Sequence, residues 1–157
     1  MGIVSISSFT RLVAAGESAV RMRAYRLGPG ADLKRALVSL VRADGLQAAF
    51  IATCVGSLVR ARLRLPSAAG EPDEVLSLGG PMEIVSLTGT LSPEGLHLHI
   101  ALARRDGQCV GGHVVDGCIV HTTAELVLGE LTDLAFRRPT DGETGHHELS
   151  IDPLALR

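Results

Sequence analysis

Leu96-His97-Leu98-His99-Ile100-Ala101-Leu102-Ala103, continued by Arg104-Arg105-Asp106-Gly107 and then Gln108-Cys109-Val110-Gly111-Gly112-His113, decides how this chain is read. Its first eight residues alternate with period two, and successive side chains of a strand face opposite sides of a sheet. Leu96, Leu98, Ile100 and Leu102 therefore belong to a core face. His97, His99, Ala101 and Ala103 belong to the other, where small alanines leave room beside two histidines. Asp106-Gly107 carries turn chemistry, so a second strand over residues 108–115 is expected to return antiparallel to the first.

The loop sets the position of His113. With a two-residue loop at Asp106-Gly107, Arg105 pairs with Gln108, Ile100 pairs with His113, and His113 turns to the core face. With a three-residue loop over Arg105-Asp106-Gly107, in which Gly107 is left-handed, Arg104 pairs with Gln108 and His99 lies opposite His113. A bulge at Gly111-Gly112 would correct the two-residue version by the same one-residue shift, setting His113 across from Ala101. In two of the three cases His97, His99 and His113 share one face. Opposed Cβ atoms then lie about 5 Å apart, a separation that imidazoles bridge to a single ion. Three neutral histidines with an open fourth position suit a divalent metal, zinc above all. The alternative is a set of surface or interface histidines without metal. Cys109 falls outside the set, since four residues of strand separate it from His113 by about 13 Å.

Outward from this hairpin the chain reads as strands with one helix. Val20, Met22 and Ala24 alternate with Arg21, Arg23 and Tyr25, which predicts a strand with one wet face. Leu33, Ala36, Leu37, Leu40 and Val41 form the apolar stripe of an amphipathic helix over about 32–44, with Asp32 at its start and Gly45 past its end. Strand-like runs follow at 47–54, 58–65, 74–78, 82–91, 96–104, 108–115 and 119–128. Gly56-Ser57, Gly79-Gly80-Pro81, Ser92-Pro93-Glu94-Gly95 and Asp116-Gly117 are among the turns expected between them. The fold class is α+β: a single domain with a mainly antiparallel sheet and one principal helix. A mobile leader is expected over 1–18, the domain over 19–136, and an extended C-terminal tail over 137–157 that could pack on a neighbour.

At 157 residues and 46% hydrophobic composition the chain has a core of ordinary size. One tyrosine, three phenylalanines and no tryptophan argue against a base-stacking surface, and a net charge of -2 against nonspecific attraction to phosphate. Cys54, Cys109 and Cys118 form no C-x-x-C pair and read as reduced thiols. With no secretory pattern at the start and no apolar run long enough for a membrane, a cytoplasmic protein is expected.

Other residues carry weaker signals. Glu83 and Glu125 could orient the histidines or serve as a general base, although strand carboxylates usually mark a wet face. Arg60, Arg62 and Arg64 alternate with apolar residues in a basic stripe, read as a solvated face or an anion-binding strip. His121 reads as a lone sheet histidine. His146-His147 reads as solvated, or as reaching a neighbouring subunit's site.

The helix ending in Asp44-Gly45, then Gly56-Ser57-Leu58, Gly80-Pro81-Met82-Glu83-Ile84-Val85-Ser86-Leu87-Thr88-Gly89, His97-Leu98-His99, Asp106-Gly107 and Gly111-Gly112-His113 together resemble the PPC domain (plants and prokaryotes conserved) in its stand-alone bacterial form. The resemblance covers roughly Ala19 to Leu149. It implies a homotrimer of α+β subunits and a metal site at His97, His99 and His113. In plant members the domain follows an AT-hook; that motif needs an Arg-Gly-Arg core, which this chain lacks. Two classes of function stand side by side. One is a metal-binding trimer, with a small molecule as partner. The other is a non-enzymatic regulatory or DNA-binding module, for which the arginine stripe is the local support. The sequence names no reaction.

Overall fold

A computed structural model of the chain describes residues 16–68 and 71–154. The elements are β1 (Val20–Leu27), α1 (Leu33–Ala43), β2 (Ala49–Arg64), β3 (Val75–Ser92), β4 (Gly95–Ala103), β5 (Cys109–Val114), β6 (Ile119–Leu131), β7 (Leu134–Arg137) and β8 (Ser150–Pro153). The first six strands form one antiparallel sheet in the order β1-β6-β2-β3-β4-β5, and β5 pairs in addition with β2. The α+β class, with one helix among the described residues and a mainly antiparallel sheet, is therefore as the periodicity predicts. Most of the expected leader lies outside the described residues; its last residue, Ser18, is held where the Asp133 amide donates to its Oγ at 3.0 Å.

Helix α1 forms where the apolar stripe and the caps agree. Asp32 accepts from the Arg35 amide at 3.2 Å through one carboxylate oxygen and from the Gly117 amide at 2.7 Å through the other, tying the helix start to the turn before β6. Leu33, Leu37 and Val41 are buried against the inner face of the sheet, with Leu98, Ile100, Leu102, Leu126 and Leu128 among their companions. Gly45, at φ +66°, ends the helix.

Two expected turns are not turns. Gly56-Ser57 and Gly79-Gly80-Pro81 lie inside β2 and β3, where the pairing shifts register instead of breaking. Gly56 and Gly80 hold φ of +144° and +98°, so each absorbs an irregularity that bends the strand while pairing continues. The bending has a consequence for the site. β2 uses one edge for β6 as far as Arg60 and then, at Leu63 and Arg64, for β5. Strands β2, β3, β4 and β5 thereby close into a small ring with the aliphatic residues inside.

The wet face of β1 is its less polar one. Tyr25 and Leu27 pack on the core, and Arg23 bends to Glu130 at 2.9 Å and Asp44 at 3.3 Å, while Val20 and Met22 stand 51% and 53% exposed. Tyr25 also donates to Asp44, so the helix end neutralises or binds the polar tips that alternation alone would send to solvent. The chain after β6 has its own small core: Ala48, Leu134 and Phe136, joined by Leu149 and Ile151. Pairing of β7 with β8 brings the intervening segment back over the outer face of the sheet.

Candidate metal centre

The hairpin adopts the three-residue loop. The Arg104 amide donates to the Gln108 carbonyl at 2.9 Å, the Gly107 amide to the Arg104 carbonyl at 2.9 Å, and Gly107 is left-handed at φ +81°. The Asp106 carboxylate accepts from the Gln108 amide at 3.0 Å, fixing the turn. His99 consequently pairs with His113, Ile100 with Gly112, and Ala101 with Gly111, without a bulge in this pair of strands. The two glycines serve another purpose. A Cβ at Gly112 would stand 3.0 Å from the Arg64 carbonyl oxygen, and one at Gly111 2.7 Å from that of Ile100, so their bareness lets β5 sit between β4 and β2.

Ring centroids of His97, His99 and His113 lie 5.0, 5.1 and 5.4 Å apart, and each ring offers a nitrogen within 4.8 Å of the others. The Nε2 atoms of His97 and His99 are 3.2 Å apart. Two nitrogens bound tetrahedrally at zinc-like bond lengths would be about 3.3 Å apart. That pair already has the span of one edge of a coordination tetrahedron.

Burial favours the neutral form at His97 and His113. Burial, with the Arg64 guanidinium next in importance, pushes His113 down to about 4. Burial first and the neighbouring His99 second hold His97 below its ordinary value. His113 Nδ1 is buried with no hydrogen-bond partner among the described residues, a costly state for an imidazole nitrogen. Neutral imidazoles, one with an unanswered nitrogen, are a donor set that fits a divalent ion of the zinc type.

The histidines open on a cleft of about 900 Å³. One wall is Arg64, which pairs with His113 across β2–β5 and makes an ion pair with Asp73 at 3.3 Å. The other wall is the returning tail, with Arg138, His146, His147 and Glu148. His147 is held by its Nδ1 at 3.1 Å from the Arg138 carbonyl oxygen. Arg138 donates to Thr90 Oγ1 at 2.7 Å, and Thr90 is the residue opposite His97.

The remaining candidates from the sequence sit apart. Glu83 pairs with Ala103, four residues along β4 from His99, or about 13 Å. Glu125 lies between Arg26 and Val55 across β1, β6 and β2. The arginine stripe is divided: Arg64 lines the cleft, Arg62 donates to the Asp116 carbonyl at 3.4 Å, and Arg60 is exposed. Exposed Cys109 pairs with Ala103, away from the histidines. Arg138 and Thr90 were not picked out by sequence reasoning; a basic Arg137-Arg138 pair at the head of the tail is the one trace they leave there.

The Plants and Prokaryotes Conserved (PCC) domain model matches residues 14–132. The chain belongs to that family. PCC relatives extend the match in two directions. A bifunctional protein GlmU of Synechococcus is 46% identical over 83% of this chain, but the chain spans only 20% of that protein's length. The solved structure of a hypothetical protein from Salmonella is 42% identical, has a TM-score of 0.81, and covers 88% of this chain and 97% of its own. That of a metal-containing protein from Archaeoglobus fulgidus is 26% identical at a TM-score of 0.76, covering 89% and 99%. No helix among the described residues is long and apolar enough to cross a membrane.

Proposed function

We propose that this PCC domain binds one divalent metal ion, zinc by preference, through His97, His99 and His113. The observation that carries the reading is the pairing of His99 with His113, which gathers three imidazole nitrogens within 4.8 Å in a cleft open to small molecules. The Archaeoglobus relative described as metal-containing supports it. A bound ion of this kind supplies Lewis acidity and a lowered pKa for bound water. The chain's own part is to hold His97 and His113 neutral through burial and to leave the fourth position free. Metal analysis after loading and dialysis tests the reading: about one equivalent in the native chain and little in His99→Ala is expected. Equal content in both overturns it.

Self-association is the second part of the proposal, and the outer sheet face supports it. Met22, Gly129, Phe50, Thr90 and His97 stand in one row across β1, β6, β2, β3 and β4. Val20, Met22 and Val55 leave 51%, 53% and 61% of their surface exposed on that side. Copies of the chain arranged as a homotrimer would cover this apolar surface and border the histidine cleft. A DNA-associated role has less support, because only Arg60 of the arginine stripe is without a partner on the described surface.

A further inference from the structure

Resting on the metal reading above, we propose that the cleft takes a small carboxylate anion, with Arg138 as the group that meets its charge beside the three histidines.

The first support is the state of the neighbouring carboxylates. Asp73 is engaged by Arg64 and Glu94 by Arg137, at 3.3 and 3.2 Å, and Glu148 accepts from Thr144 at 3.2 Å. None belongs to the group of ligand atoms formed by the histidines, so among the described residues the chain offers three donors and no anionic fourth.

The second support is the contrast between two adjacent arginines. Arg137 makes ion pairs with Glu94 and Asp152. Arg138 makes none among the described residues; its guanidinium donates to the uncharged Thr90 hydroxyl at 2.7 Å, although it is half-buried. Burial lowers its pKa against the opposing pull of Glu148. A desolvated guanidinium has five N–H donors, and a hydroxyl answers one of them. Thr90 pairs with His97, so this anchor keeps the fork at the histidine cluster.

The third support is charge. Neutral imidazoles around a dication, flanked by Arg138, leave positive charge for a ligand to balance. A planar carboxylate matches the guanidinium fork and can present an oxygen to the open position. Glu148, which lines the same cleft, disfavours a multiply charged anion such as phosphate.

Cobalt(II)-loaded protein provides the test, since its visible absorption reports on the metal's ligands independently of any activity. Acetate is expected to change the spectrum saturably, while its neutral counterpart acetamide and inorganic phosphate have weaker effects. Arg138→Gln is expected to raise the apparent dissociation constant for acetate about tenfold or more, a loss of about 1.4 kcal/mol, at unchanged cobalt content, with Arg138→Lys between. Acetamide or phosphate acting as strongly as acetate overturns the proposal, as does native affinity in Arg138→Gln. If that variant does not fold, the comparison of acetate with acetamide on the native chain decides. Failure to take up cobalt is read separately, from metal content, and overturns the metal reading together with what rests on it.

Discussion

His99 and His113 stand directly opposite each other across β4 and β5, their ring centroids 5.4 Å apart. The relationship depends on the register to within one residue. Deleting Gly111 would keep the Arg104–Gln108 pairing, set His113 opposite Ile100 in the place of Gly112, and turn it toward the aliphatic interior of the ring. Loss of most bound metal is expected, with destabilisation of about 2 kcal/mol or more from a misplaced imidazole. Metal content and a urea unfolding curve check both. Native metal content in the deletion variant would mean that the register does not control the site.

Closure of the strand ring predicts a cost at Gly112. An alanine Cβ there would meet the Arg64 carbonyl at 3.0 Å and Leu63 Cβ at 3.1 Å. Gly112→Ala should destabilise by about 1–3 kcal/mol through this overpacking, and should also displace His113. Gly142→Ala, where nothing lies within 4 Å, is the control and should change the unfolding midpoint little.

The metal-free protein should lose stability in mild acid. His113 sits near 4 in the folded chain against an ordinary 6.5, so between those values the unfolded chain takes up a proton that the folded chain refuses. The stability this group contributes is whole above about pH 6.5 and is lost as pH falls toward 4. His97, also held low, acts in the same sense. The fall in Tm across this window should be smaller in His113→Gln. An identical fall in both proteins would assign the effect to other groups.

Covering of the outer face by copies of the chain predicts a mass change. Native protein should sediment as a trimer, and Met22→Lys combined with Val55→Lys should give a folded monomer, since each lysine carries a charge into an apolar contact. A native chain that sediments as a monomer excludes the assembly.

Duplex DNA should not be shifted at near-physiological ionic strength, because Arg62 and Arg64 are turned to other partners and the net charge is -2. A salt-dependent shift abolished by Arg60→Ala would restore the DNA-associated role.

The amino-acid sequence by itself determined the elements whose signals are local. The helix was legible because its apolar stripe, Asp32 and Gly45 all agree, and the faces of β4 because Leu96 to Ala103 alternate without exception. The histidine trio was legible as a set of alternatives, since each loop length has its own register. Only the tertiary structure decided among them: the bonds of Arg104 with Gln108 and Gly107 select the three-residue loop. Gly56 and Gly80 have the composition of turns and the behaviour of bulges, because neighbouring strands hold their chain extended on both sides. The exposed side of β1 likewise depends on Asp44 and Glu130, which lie 19 or more residues from the side chains they draw in. The approach of Arg138 to Thr90 spans 48 positions and leaves no periodic trace. Periodicity records which way a side chain points along its own strand, whereas partners so distant are chosen by the closing of the sheet.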